Sequence, residues 1–262
     1  MGAGHVGVGA ALAVAAGLCS LVSAGPEARD VSIVSYNMMH FQGVRPEREP
    51  RWNVWADTEW YPNPNKSGYF EFFTEVFRSL DADIIALQES VVPQHDAADD
   101  EYGGHGEMRT VPELARRLNM HYFIQERSRF HGFAVLSRFP IVDGKDFSHG
   151  GTPGVGIIRV TVRLDDGTLL HVYDTHLHWR DPSIRAQELP YNQKVIADED
   201  LAPHLYVGDF NIRPTDSPEL DILRENGYEG FGHGVDYVWV RRGAACGSWP
   251  SPPWRTSTLR PP

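Results

Sequence analysis

The chain is poor in cysteine and in positive charge. Only Cys19 and Cys246 occur among 262 residues, so no disulfide framework exists and a core must hold the fold together. Lys and Arg number 24 against 35 Asp and Glu, for a formal net charge of −11. Phosphate neutralisation by basic side chains supplies most non-specific nucleic-acid affinity, so this balance speaks against a stable nucleic-acid partner. It does not exclude a nuclease, because a bound divalent ion inverts the local field. No internal repeat is visible. The long apolar run from Val6 to Val22 lacks a basic flank, with only His5 ahead of it.

That run is small and apolar, and Val22-Ser23-Ala24 offers the small residues that a signal peptidase requires. A buried N-terminal helix or a membrane anchor is the competing interpretation; the Ala- and Gly-rich composition favours cleavage. Leu18 before Cys19 argues against a lipoprotein site. The expected organisation is a signal peptide at 1–24, a linker at 25–30, one large domain at 31–242 and an atypical tail at 243–262. The expected product is a secreted, extracellular monomer. An apolar content of 41% and 11% aromatics are ordinary for a globular chain of this size.

Alternation and β-branching mark Val31 to Tyr36 as a strand, and Ile84 to Leu87 as a buried one. Phe70, Phe73, Phe77 and Leu80 recur at helical spacing between them. A short helix is expected near Pro112 to Leu118 and a longer one from Ile184 to Asp198. Further strands are expected at Tyr122–Gln125, Phe133–Leu136, Val155–Leu164, Thr168–Tyr173, His204–Val207 and Tyr237–Val240. This is an α+β pattern with sheets packed face to face. The stretch 45–67 carries Trp52, Trp55, Trp60 and Tyr61 and reads as a surface excursion, ending in the sequon Asn65-Lys66-Ser67.

Five polar clusters fall at strand ends, where functional loops leave a scaffold. They are Ser35-Tyr36-Asn37, Leu87-Gln88-Glu89-Ser90, Asp174-Thr175-His176-Leu177-His178-Trp179, Gly208-Asp209-Phe210-Asn211 and Val235-Asp236-Tyr237. Carboxylates and amides without thiolates favour Mg²⁺, with Mn²⁺ or Ca²⁺ as alternatives, over structural zinc. Singly each cluster is weak, since a Glu after a buried strand is usually an edge charge and Asp-Phe-Asn is often a turn.

In order and spacing the clusters resemble the endonuclease/exonuclease/phosphatase superfamily. Gly132 to Ile141 resembles its central hairpin, and Gly208 to Pro214 with Ser217-Pro218-Glu219 resembles its most diagnostic stretch. The resemblance implies a four-layer α/β/β/α sandwich of two mixed β-sheets, deoxyribonuclease-I-like, with incomplete C-terminal strands. It implies a phosphoester substrate (lipid, small molecule or nucleic acid) attacked by water. Glu89 and Asn37 would bind metal; Asp209 would position water, Asn211 would orient phosphate, and His176 would donate to the phosphoryl group. Asp236 would orient a terminal histidine. Arg138 and His178 are candidates for substrate contact, against the plainer alternatives of a solvated arginine and a packed rim position.

The pattern breaks after Val240. The family's terminal Ser-Asp-His motif has no counterpart, because the stretch 241–262 holds neither histidine nor acid and is interrupted by Pro250, Pro252 and Pro253. Two interpretations stand: a natural tail on a catalytically impaired relative or binding protein, or the product of a reading-frame shift.

Overall fold

The computed structural model describes residues 15–20, 30–38, 67–90, 110–125, 132–147, 156–214 and 216–241. The aromatic stretch 45–67 (but for Ser67, the first residue of a helix), the tail and most of the 1–24 segment lie outside those residues. One sheet contains β1 (Ala15–Ser20), β2 (Asp30–Asn37), β3 (Ile84–Ser90), β4 (His121–Ile124) and β5 (Gly132–Ser137), ordered β1-β2-β3-β5-β4. The other contains β6 (Ile141–Asp146), β7 (Gly156–Arg163), β8 (Leu169–His176), β9 (His204–Asp209), β10 (Tyr228–His233) and β11 (Asp236–Arg241), ordered β10-β11-β9-β8-β7-β6. Each sheet has one parallel pair, β2 with β3 and β8 with β9, among antiparallel neighbours. The sheets are therefore mixed, as expected.

Alternation along the strands divides the apolar residues into three cores. Val31, Ile33, Ile84, Ala86, Phe133 and Val135 face Ile158, Val160, Val172, Leu205, Val207 and Val238 between the sheets. On the outer side of the first sheet, Val34, Tyr36, Ile85 and Leu136 meet α1 (Ser67–Leu80) and α2 (Thr110–Leu118). Outside the second sheet, Tyr173, Tyr206, Tyr237 and Trp239 meet Leu189 and Ile196 of α3 (Pro182–Glu199), and Leu223 of α4 (Asp221–Glu225). Burying each such side chain contributes about 1.5–3 kcal/mol. The result is the α/β/β/α sandwich.

Helix ends follow local chemistry. Asp81 stops α1 in the left-handed region at φ 51°, its N–H donating to the Phe77 carbonyl. Asp181 caps α3, accepting from the Ser183 N–H at 2.8 Å, with Pro182 at the first helical position.

Two expectations are corrected. Gly132 to Ile141 is not a hairpin, because β5 and β6 belong to different sheets. The Ser137–Pro140 link crosses the sandwich, with Phe139 buried between the layers and its N–H held by Ser137 Oγ at 3.0 Å. The strand expected at Thr168–Tyr173 runs on to His176, so that histidine is fixed by the sheet rather than carried on a loop.

Candidate active site

The ends of five strands meet at one rim of the sandwich. Parallel register puts His176 of β8 opposite Asp209 of β9, and antiparallel register puts Asp236 of β11 opposite Asp209 on its other side. His176, Asp209 and Asp236 thus form a row across the second sheet. Facing them, Asn37 ends β2 and Glu89 lies near the end of β3, with Asn37 opposite Gln88 in register.

One side chain ties the two sheets together. Asn37 Nδ2 donates to Glu89 Oε1 at 3.0 Å and to Asp209 Oδ2 at 2.9 Å. His176 Nε2 lies 3.8 Å from each of the same two carboxylates. Asp209 Oδ1 also accepts from the Asn211 N–H at 2.9 Å, an Asx turn that fixes the carboxylate.

Two residues of the site have a strained backbone. Glu89 has φ 47°, at a bulge where the pairing of β3 with β5 shifts between Leu87 and Ser90. A bulge re-aims a side chain, and a non-glycine residue in this region costs on the order of 1–3 kcal/mol. Asn211 has φ 52°, which asparagine tolerates better than most residues. Gly208, at φ 142°, lets β9 press against β8: a Cβ there would lie 1.9 Å from the Thr175 carbonyl oxygen. Any larger residue would push Asp209 out of the row.

The site holds more acid than its surroundings neutralise. Burial pushes the Asp209 carboxyl up, opposed by His176 and the Asn37 and Asn211 donors, while Glu89 pushes it further up. Burial also raises Asp236 well above the carboxylate range, with Asp209, Asp174 and Glu89 adding to the effect and Arg213 opposing it. Asp236 Oδ1 is buried and has no hydrogen-bond partner. Asp174 beneath the row is wholly buried and raised by desolvation; it accepts from Gln88 Nε2 at 2.7 Å. Asp174 and Gln88 stood in the sequence clusters without a role, and only their shared burial between the sheets shows that they belong to the floor of the site.

This donor set suits a hard cation. It offers carboxylate and amide oxygens, a surplus of buried acid and a partnerless carboxylate oxygen. Among the described residues, no group of three or more His, Cys, Asp or Glu could hold a metal by itself. An ion here would rest on Glu89 and the turned-over Asn37 amide, completed by water and substrate oxygens, as Mg²⁺ commonly is.

One of the expected contacts is corrected. Arg138 follows β5 at the opposite rim, where Ser137 pairs with Ile84. Five residues of β3 separate Ile84 from Glu89, roughly 17 Å at about 3.3 Å per residue. The guanidinium there pairs with Asp81 and lies 3.6 Å from Asp83, so it binds acid rather than substrate. His178 lies beyond the end of β8, and its Nδ1 accepts from the Arg180 and Asp181 N–H groups at 3.3 and 2.9 Å. It braces a loop. Asn211 Nδ2 donates to the Leu177 carbonyl at 2.9 Å. His233 lies opposite Asp236 in register. The stretch after Arg241, where the family's motif would stand to partner Asp236, lies outside the described residues.

The comparisons with known proteins agree with this fold. The profile of the Endonuclease/Exonuclease/phosphatase family matches residues 52–260. No curated protein matches the chain. Among solved structures, an endonuclease/exonuclease/phosphatase family protein from Bacteroides thetaiotaomicron is similar at TM-score 0.55 and 14% identity, over 80% of this chain and 82% of that one. A humanized D. rerio TDP2 gives 0.55 and 16%, over 84% and 85%. A mannosyl-6-phosphatase from Bacteroides thetaiotaomicron gives 0.54 and 12%, over 80% and 85%. At these identities the likeness is one of fold.

Proposed function

Because the chain belongs to the endonuclease/exonuclease/phosphatase family, whose enzymes generally use divalent metal ions, we propose that it is a Mg²⁺-dependent hydrolase of small phosphoesters, exported and monomeric. The observation that carries this reading is the Asn37 bridge between Glu89 and Asp209, with His176 at 3.8 Å from both carboxylates. Glu89 and Asn37 would hold the ion, with Mn²⁺ or Ca²⁺ meeting the same donors; when bound, it supplies charge to neutralise a phosphate oxygen.

The chain's own groups do the rest. Asp209, fixed by Asn211, accepts a hydrogen bond from the attacking water and aims it. His176 donates to the phosphoryl oxygen, and an imidazole in that position can also transfer a proton. The free N–H of Asn211 orients the phosphate. Asp236 keeps the acid end of the row in place. The nuclease branch of the family uses the same chemistry, and the net charge of −11 favours a small substrate over a polyanion.

Export rests on the 1–24 segment. Cleavage after Ala24 would carry β1 away and leave β2 at the sheet edge. A second reading, a cation-binding protein without turnover, is favoured by the lack of a histidine in 241–262 and by the partnerless Asp236 oxygen. Hydrolysis of bis(p-nitrophenyl) phosphate with Mg²⁺ separates the two. The hydrolase reading expects Asp209→Asn to cut turnover by about 10²–10⁴-fold; turnover unaffected by that substitution would sink it.

A further inference from the structure

Resting on the hydrolase reading, we propose that Trp179 and Arg180 form a stacking subsite for a flat ring carried by the substrate. This subsite favours nucleotidyl or aryl phosphoesters over esters that lack such a ring. Trp179 is 59% exposed, the most exposed large apolar side chain among the described residues. A lone exposed tryptophan is commonplace. What distinguishes this one is the loop that presents it.

The loop is braced before the indole by two buried side chains and after it by the His178 ring. The His178 N–H donates to Glu188 Oε2 at 2.7 Å, and the His178 carbonyl accepts from Arg185 Nη1 at 3.1 Å. Glu188 and Arg185 are themselves 4% and 6% exposed, and Arg185 is held by both oxygens of Glu219 at 2.9 and 3.2 Å. The His178 ring accepts the two N–H groups that follow Trp179. Two charged side chains are thus buried to fix the backbone of a residue next to an exposed indole. A pre-ordered aromatic binds without the cost of ordering it on contact.

The same loop is joined to the catalytic row. The Leu177 N–H donates to the Asp209 carbonyl at 2.9 Å, and Leu177 accepts from Asn211 Nδ2 at 2.9 Å. Trp179 is three residues beyond His176, within roughly 11 Å along the chain. That is the span between a scissile phosphate and a ring a few bonds away. The Arg180 guanidinium sits 5.6 Å from the indole centroid, adding a cation to the π-face. Arg180 is thereby a positive group beside an acid-rich rim.

An acyl chain would need a contiguous apolar patch, and none adjoins Trp179 among the described residues. The other exposed large apolar side chains are Tyr122 on β4, Val142 on β6 and Leu169. Leu169 begins β8 at the end away from His176, and Tyr122 pairs with Leu136 beside Ser137 at the far rim.

The test is calorimetric titration of the full chain, in Ca²⁺, with adenosine 5′-monophosphate and with ribose 5-phosphate. Stacking predicts about tenfold tighter binding of the nucleotide. Trp179→Ala should bring the two affinities together, and Trp179→Phe should retain most of the preference. Equal affinities in the wild type, no binding of the nucleotide, or a preference that survives Trp179→Ala would overturn the subsite. So would Trp179-dependent binding to phosphatidylcholine vesicles in place of nucleotide. The two readings fail separately. Turnover of bis(p-nitrophenyl) phosphate lost in Asp209→Asn, with no nucleotide preference, refutes the subsite and leaves the hydrolase. A Trp179-dependent preference with turnover insensitive to Asp209 does the reverse.

Discussion

The catalytic row and the rest of the sandwich handle charge in opposite ways. On the outer face of the second sheet, Arg159, midway along β7 and opposite Tyr173, joins Glu199 at 2.9 Å and also pairs with Asp143, while Lys145 reaches Glu199 at 3.0 Å. At the far rim Arg138 pairs with Asp81, and Asp83 Oδ2 accepts from the Ser32 N–H and Oγ at 3.0 and 2.9 Å. Every acid in these groups faces a cation or a donor. At the other rim, Asp209, Asp236 and Asp174 are buried with raised carboxyl pKa values, and the backbone is strained at Glu89 and Asn211. The charges away from the row are arranged for stability. The row gives up stability to hold three buried carboxylates beside one another, the condition expected of a site that takes a cation and an anionic substrate.

Substitutions can break this contrast. The largest effect is expected from Asp209→Asn, with hydrolysis lost by about 10²–10⁴-fold and the urea midpoint unchanged or raised. Next, Arg159→Ala, midway along β7, should cost about 3 kcal/mol by urea denaturation, since it strips Glu199 of its buried partner. Turnover per folded molecule should not change. If Arg159→Ala impaired turnover without unfolding, the row and the ion-paired outer face would not be separable.

The pH dependence sharpens the same contrast. An acid whose folded pKa is raised binds its proton more tightly in the folded state, so stability falls with rising pH. The loss begins near the unfolded carboxylate value of about 3.9 and ends above the raised folded value of Asp236. The ion-free protein should therefore melt lower at neutral pH than its far rim alone would dictate. Asp236→Asn should flatten that decline, and thermal scans across pH would show it. An unchanged slope would mean that Asp236 is not the strained acid. The smallest effect is expected from Arg138→Ala: under about 1 kcal/mol of stability, for a pair that is partly solvent-exposed, with no change in KM.

Much of this was legible in the sequence, and the exceptions have physical causes. Strands buried on both faces, such as Ile84 to Leu87, declare themselves by composition. β6 does not, because Asp143, Gly144 and Lys145 interrupt it and none of its side chains is fully buried. β10 is hidden by its glycines, which make sense only beside a partner: a Cβ at Gly230 would lie 2.3 Å from the Trp239 ring. Asn37, Glu89, His176, Asp209 and Asp236 converge as their motifs suggested. Arg138 and His178 were chosen by residue type, and type alone could not reveal that Asp81 and two backbone amides had already claimed them. The bulge that aims Glu89 leaves no mark in the local sequence, because it arises from the pairing of β3 with β5.

Titration of Mg²⁺ into the wild-type chain, Glu89→Gln and Arg138→Ala by calorimetry bears most directly on an acid-rich rim built for a cation. Saturable one-site binding to the wild type and to Arg138→Ala, weakened at least tenfold in Glu89→Gln, is the expected result. Equal binding by all three, or binding lost on removing Arg138 instead of Glu89, would contradict it.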